Sequence, residues 1–365
     1  MPGSSFGENF RFHTFGESHG EALGVIIDGV PAGLSLSAED LKPMLGRRRP
    51  GQGVASTKRN EADEPYILSG IFEGKTTGTP VCVIVKNSDQ RSGDYSEIAE
   101  KYRPSHADYG FDAKFGIRDY RGGGRSSGRE TVSRVIAGAV AKKILSELNI
   151  DVCAYTYSIG NVEIDRENMD LSLVGKNATS MPDAKADELA VKEIEKARKE
   201  SDSLGGVCEC VIKGLPAGIG EPVFDKLDAR LSYAVMGIGA VKAVEIGDGI
   251  KVSYTTGSKN NDPFVIKDGE ISKEKNSSGG ITGGISDGSD VVLKAYFKPT
   301  PSIAREQKTV DKYGNETVIN IKGRHDPVVV SRACVVVEAM AAVTVLDLMF
   351  SNMHSKLQNI KDFYS

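Results

Sequence analysis

Apolar and polar residues alternate along FRFHTF (residues 10–15), the period of a half-buried strand. The run that follows, ALGVIIDGVPAGL, is β-branched and closed by Gly and Pro, so it predicts a second strand. SAEDLKPMLGRRR predicts a short helix with Ser37 as N-cap and Asp40 in its first turn. EPYILSGIFEGKTTGTPVCVIVKN predicts two or three strands joined by Gly-containing turns. RETVSRVIAGAVAKKILSELN has apolar residues at helical spacing, with Lys142 and Lys143 toward its C-terminal half, and predicts a helix. MPDAKADELAVKEIEKARKESDS predicts a second helix, charged on most of its surface. GVCECVIKG predicts a strand with Cys208 and Cys210 on one face, and residues 328–353 a third long helix apolar enough to be largely buried.

DGVPAGLSLSAEDLKPMLGRR near residue 28 echoes KGLPAGIGEPVFDKLDARLSY near residue 213, each after a β-rich strand. Two such strand-turn-helix units point to a duplicated α/β architecture. Residues 255–280 and 304–323 are rich in Asn, Ser, Gly, Lys and Asp, a mobile-loop composition common in lids.

A length of 365 residues alone suggests two or three domains. An apolar share of 39% with 26% charged residues describes a soluble globular protein. The apolar C-terminal run is broken by Arg332, Glu338 and Asp347, so no membrane span is expected, and the N-terminus shows no secretion signal. Five cysteines without C-x-x-C argue for reduced thiols in a cytoplasm.

The formal charge of −4 hides local cationic clusters. DYRGGGRSSGRETVSRV places Arg121, Arg125, Arg129 and Arg134 beside three glycines, with hydroxyls from Ser126 and Ser127, at the start of the first long helix. Helix-start N–H groups and guanidinium forks both favour anions, and glycine lets backbone approach them. The block is not a Walker loop, since no Gly-Lys-Ser/Thr ends it. GRRRPGQG (46–53) repeats the theme ahead of a Pro-Gly turn. RPSHADYG puts His106 beside Arg103, GRHDPVVVSR groups Arg324, His325 and Asp326, and KPTPSI adds Lys298 in a rigid turn. His13, His19, His106 and His325 all fall in or beside such turns, with no H-x-x-x-H pair and no acidic cluster, so no metal site is expected. These residues describe a pocket for a small polyanion carrying carboxylate or phosphate groups.

Two other readings stay open. GESHG (16–20) satisfies the G-x-S-x-G of a serine esterase with Ser18 as nucleophile and His325 late in the chain, but strand-turn-strand is the wrong context for that elbow. The Arg-Gly block could serve an RNA-binding module, which the net acidity and the lack of Trp oppose, so no nucleic acid is expected as a partner.

FGESHG, DGVPAGL, RRRPG, DQRSGDY, RPSHADY, DYRGGGRSSGRET, GIGAVKAVEIGDG, GGITGGIS, KPTPS and GRHDPVVVSRA lie in an order that resembles the chorismate synthase family over essentially the whole chain. The resemblance implies one domain over residues 1–365, a β-α-β sandwich of repeated units, assembled as a homotetramer without metal. It implies an anti-1,4-elimination that turns 5-enolpyruvylshikimate 3-phosphate into chorismate and phosphate. Reduced FMN is the implied cofactor, its electrons coming from an external flavin reductase or from NADPH. By the same resemblance His19 would stand near the flavin N1–C2=O edge, His106 would protonate the departing phosphate, and Asp326 would take the proton from flavin N5. Arg48, Arg103, Arg129 and Arg134, with Ser18, match substrate-binding positions. Arg125, Ser126, Ser127, Gly239, Ala240, Gly283, Lys298, Pro299, Thr300, Pro301, Ser302 and Arg324 match cofactor-binding ones. The chain departs from the family at Val54, where arginine is common, at Ser105, where glycine is common, and at Gly239, where many relatives have Asn.

Overall fold

The computed structural model describes residues 3–49, 62–87, 97–321 and 326–365. Val54, Arg324 and His325 lie outside the described residues.

The alternation in FRFHTF becomes β2 (Arg11–Gly16), in which Phe12 and Thr14 are buried while Arg11, His13 and Phe15 face outward. β2 pairs with β3 (Ala22–Asp28), whose inward Leu23, Val25 and Ile27 are fully buried. With β1 (Ser5–Phe6), β4 (Pro65–Ser69) and β7 (Val81–Lys86) they form an antiparallel sheet in the order β1-β2-β3-β7-β4. A small hairpin, β5 (Ile71–Phe72) and β6 (Lys75–Thr76), sits between β4 and β7. The second antiparallel sheet holds β8 (Asp151–Ile159), β9 (Val162–Glu163), β10 (Gly206–Lys213), β11 (Val241–Ile246) and β16 (Val291–Phe297), in the order β11-β16-β10-β8-β9. Between β11 and β16 lie the hairpins of β12 (Phe264–Lys267) with β13 (Glu270–Lys273) and β14 (Ile281–Thr282) with β15 (Ile285–Ser286).

Helices α1 (Ala38–Arg48), α3 (Thr131–Ser146), α5 (Leu227–Met236) and α7 (Val330–Asn352) fill the space between the sheets. The Asp40 carboxylate accepts from the Ser37 N–H and hydroxyl at 2.7 and 2.8 Å, which fixes the start of α1 as its sequence implies. α3 lies on the first sheet, α7 on the second, and the two helices pack on each other. Their approach is close because Gly138 has no side chain: a Cβ there would fall 2.2 Å from that of Ala339. α7 has the length and apolarity of a membrane span, yet 83% of that stretch is buried inside the molecule, where it is the central core helix. Its Glu338, wholly buried, accepts from Arg47 of α1 at 2.9 Å, Lys142 of α3 at 2.9 Å and the Ala154 N–H of β8 at 2.9 Å. One carboxylate thus joins both helical layers to the second sheet.

The echo between residues 28 and 213 is a structural repeat. The order β2, β3, α1, β4, β5–β6, β7, α3 recurs as β8, β10, α5, β11, β14–β15, β16, α7, and both sheets pair the equivalent strands alike. Even the Pro-Ala-Gly turns are closed the same way. Thr76 Oγ1 donates to Pro31 O at 2.6 Å and accepts from Leu34 N at 3.0 Å; Ser286 Oγ donates to Pro216 O at 2.6 Å and accepts from Ile219 N at 2.9 Å. The charged helix of the sequence is α4 (Ala184–Lys199), inserted between β9 and β10; α2 (Asp108–Phe115), α6 (Gly257–Asn260) and α8 (Leu357–Tyr364) complete the helices described.

The two lid-like segments are more regular than their composition suggests. Residues 255–280 contain β12–β13, and residues 304–323 contain the hairpin of β17 (Glu306–Val310) and β18 (Glu316–Asn320). The second is docked: Ile319 and Ile321 bury against Ile98, and Tyr102 N donates to Val310 O at 3.2 Å. Lys312 N also donates to Glu100 O at 2.8 Å and Lys101 Nζ to Val318 O at 3.0 Å, which seats the hairpin just before the His106 loop.

Candidate active site

Register fixes which loops share an end of the molecule. Ala22 pairs with Lys86, Pro65 with Val85, and Val241 with Phe297, so the β2–β3 turn and the segments leading into β4, α3, β11 and α7 emerge together. The Pro-Ala-Gly turns and small hairpins lie at the opposite end.

In the shared end, two histidines flank one glycine loop. A Cβ on Gly122 would fall 2.3 Å from His19 Cε1 and 3.1 Å from Ser18 Oγ, and one on Gly123 would fall 3.0 Å from His106 Cε1 and 3.0 Å from Ser126 Oγ. Both glycines have φ near +70 to +90 (70 and 87), so glycine is needed for conformation as well as space. His106 Nδ1 lies 3.0 Å from Asp108 Oδ1, and the buried Asp108 also accepts from Arg103 Nη2 at 2.7 Å and Arg103 Nε at 2.8 Å. Burial pushes the Asp108 carboxyl up, but Arg103 and His106 outweigh it and hold it well below the ordinary range. Nδ1 also lies 3.0 Å from Arg103 Nη2, so it is engaged by both partners of that pair, and Nε2 is the nitrogen that faces neither. Ser18 stands in a hairpin turn with its Oγ 3.2 Å from His19 Nδ1, and β3 rather than a helix follows, so the esterase elbow is not formed.

A second group lies beside the first. Asp63 joins Arg48 to Arg129, and Arg129 Nε donates at 3.0 Å to Asn87, whose amide donates to Glu17 O and Gly20 O at 3.0 and 2.8 Å. Arg332 donates to Arg48 O at 2.9 Å and is ion-paired with Asp326. Burial, together with the nearby Arg332 and Arg129, brings the Arg48 pKa down to about 10 despite Asp63. Arg134 pairs with Glu130 at 3.0 Å.

Of the positions matched to a cofactor, most converge. Lys298 N donates to Ala240 O at 3.0 Å and its Nζ to Ser105 O at 2.6 Å, which joins the Gly239–Ala240 turn to the His106 loop. Ala240 and Ser105 both hold left-handed backbone, at φ 73 and 57, which explains why glycine is common at the latter. Burial and the neighbouring Lys242 lower the Lys298 pKa, a setting that an anion would relieve. Thr300 Oγ1 is buried without a hydrogen-bond partner, Thr300 O accepts from Ser203 at 2.7 Å, and Ser302 is buried in the same segment, with Pro299 and Pro301 stiffening it. Ser126 Oγ donates to Gly123 O at 2.7 Å, Ser127 Oγ accepts from Arg129 N at 3.3 Å, and Arg125 is braced on Thr14 at 2.6 Å and Gly16 O at 3.1 Å. An orphaned buried hydroxyl, crowded lysines and a glycine cradle fit a phosphate-bearing cofactor. Gly283 stands apart: it turns β14 into β15 at the far end of β16, which at seven residues puts it roughly 20 Å from Lys298 within one chain.

The carboxylates are what the sequence reading missed. Asp63, Asp108 and Glu130 pair with the arginines it singled out, and Asn87 and Arg332 tie the loops together. Asp108, two residues from His106, and Glu130, four before Arg134, stood close enough to be noticed; Asp63 did not.

The sequence profile described as Chorismate synthase matches residues 10–350. A protein of that name from Lachnospira eligens is 56% identical over 364 residues, covering 100% of both chains. One from Synechocystis sp. is 50% identical over 349 residues, covering 94% of this chain and 96% of its own. A solved structure titled "Crystal Structure of Chorismate Synthase" superimposes with a TM-score of 0.77 at 29% identity, covering 98% of this chain and 97% of that one. The chain belongs to the chorismate synthase family.

Proposed function

We propose that the shared end of the two sheets binds 5-enolpyruvylshikimate 3-phosphate beside reduced FMN and eliminates phosphate to give chorismate. The observation that carries this reading is the pair His19 and His106, set against adjacent glycines of one loop within a rim of arginines. Arg48, Arg103, Arg129 and Arg134 supply cations for the substrate's phosphate and two carboxylates. His106, its Nδ1 held by Asp108, presents Nε2 to protonate the departing phosphate. Ser18 and His19 close the pocket floor, and Asp326, held by Arg332, offers a carboxylate to take up a proton. Arg125, Ser126, Ser127, Gly239, Ala240 and residues 298–302 would hold the FMN. Held there, reduced FMN would supply electron density to the allylic system as the phosphate leaves.

Gly283 could contribute only from another copy of the chain, in keeping with a homotetramer. NADPH or a separate reductase would keep the flavin reduced in a cytoplasm, a setting that suits the five free thiols. The test is an anaerobic assay with chemically reduced FMN, following chorismate absorbance. Chorismate should form with reduced FMN and not with oxidised FMN; turnover under air without reductant would refute the cofactor.

A further inference from the structure

Asp63 has no obvious place in the chemistry, yet it is built into the site with unusual care. Its side chain is closed off from solvent, and its two oxygens are divided between two guanidiniums. Oδ2 accepts from Arg48 Nε at 3.1 Å and Nη2 at 2.5 Å, while Oδ1 accepts from Arg129 Nη1. The residue lies outside regular structure, just before β4, with φ at 50, a left-handed conformation that a non-glycine residue holds only when its surroundings impose it. That backbone is what turns one carboxylate toward two arginines from different elements, the end of α1 and the turn before α3.

The contacts continue on both sides. Beyond Arg129, Asn87 accepts from Nε and holds Glu17 O and Gly20 O, the two ends of the Ser18–His19 turn. Beyond Arg48, Arg332 donates to its carbonyl and reaches Asp326. Asp63 is therefore the middle of a continuous row of ion pairs and hydrogen bonds running from His19's turn to Asp326. It is also the carboxylate that stands between Arg48 and Arg129, whose like charges would otherwise push them apart in a setting where little water screens them.

We propose that Asp63 is a positioning residue for the elimination, holding Arg48 and Arg129 in one arrangement that fits the anionic groups of the substrate. This rests on the function proposed above. The alternative, that Asp63 only offsets surplus positive charge, makes the opposite forecast. By charge alone, removing a carboxylate from a cationic pocket should tighten binding of a polyanion. If Asp63 sets geometry, the same change loosens it, because each guanidinium fork loses the partner that fixes its plane.

The experiment compares Asp63→Asn and Asp63→Glu in the full chain. Substrate affinity is read by calorimetry with oxidised FMN present, which needs no turnover, and KM and kcat are read anaerobically with reduced FMN. Asp63→Asn should weaken substrate binding and raise KM by about 10- to 100-fold, the span expected for losing charged hydrogen bonds, with kcat changing far less. Asp63→Glu, which keeps the charge but displaces the oxygens, should recover part of the loss. If Asp63→Asn fails to fold, Asp63→Glu decides alone, since it should still bind substrate about 10-fold more weakly. Unchanged or tighter binding in the folded variant would overturn the proposal. A wild-type protein that binds the substrate but does not turn it over would refute the reaction and leave the calorimetric comparison to judge Asp63.

Discussion

The two halves of the molecule share a plan and divide the work. From β2 to α3 and from β8 to α7 the same strands, helices and hydroxyl-clamped Pro-Ala-Gly turns follow one another. Apart from the β12–β13 insertion between β11 and β14, the main differences lie in the connections at the shared end. In the first half they carry His19, Arg48, His106 and Arg129, proposed to bind substrate and move protons, together with Asp63, the three glycines and the FMN-holding candidates Arg125, Ser126 and Ser127. In the second they carry Gly239, Ala240, residues 298–302 and Asp326, which are mostly proposed to hold the cofactor. The first half joins β2 to β3 by a tight turn bearing His19, whereas the second separates β8 from β10 by β9 and α4. Packing conserves the frame because every strand and helix in it buries apolar surface, while the loops are free to differ. Three non-glycine residues with positive φ, Asp63, Ser105 and Ala240, lie at the shared end, while others such as Glu73 and Asp268 sit in hairpin turns away from it.

Changes at that end should affect turnover, and changes in the frame should affect stability. His106→Ala should lower kcat about 10²–10⁴-fold, the span for a general acid, while the lost Asp108 contact lowers the unfolding midpoint only modestly. Turnover close to wild type would remove His106 from the mechanism. Glu338→Gln leaves Arg47 and Lys142 without their shared carboxylate; since both reach solvent, the cost should fall at the lower end of about 3–5 kcal/mol in urea unfolding. A smaller loss would mean that the helical layers do not depend on that junction. Thr76→Val and Ser286→Ala each uncap a Pro-Ala-Gly turn and should each cost about 1–3 kcal/mol, with kcat unchanged in both. Clearly unequal costs would break the equivalence of the halves. Ser105→Gly relieves a left-handed backbone and should stabilise by up to about 1 kcal/mol. A loss of stability there would show that the serine side chain matters more than its φ.

Much of the frame was legible in the sequence. The alternation of FRFHTF, the helical spacing of 129–149 and the repeated Pro-Ala-Gly turns each report local packing, which leaves a periodic trace. The hairpins β12–β13 and β17–β18 were hidden because their strands are only four or five residues long and largely exposed, and the latter is seated by three isoleucines and hydrogen bonds that leave no periodic trace. At the site, the glycines, arginines and His106 announced themselves by clustering. Asp63 did not, because its partners Arg48 and Arg129 stand 15 and 66 positions away and nothing periodic marks it. Gly283 shows the converse: it belongs to a recognisable motif, yet the register of β11 on β16 carries it to the other end.

The claim that the shared end of the two halves is the active end is open to one direct measurement. Hydrogen exchange would be followed with and without substrate plus oxidised FMN, a combination that binds without reacting. We expect slowed exchange at residues 17–21, 103–108 and 298–302, and an unchanged rate in the first Pro-Ala-Gly turn at 30–34. Protection of the 30–34 turn with no change in those three loops would contradict the account.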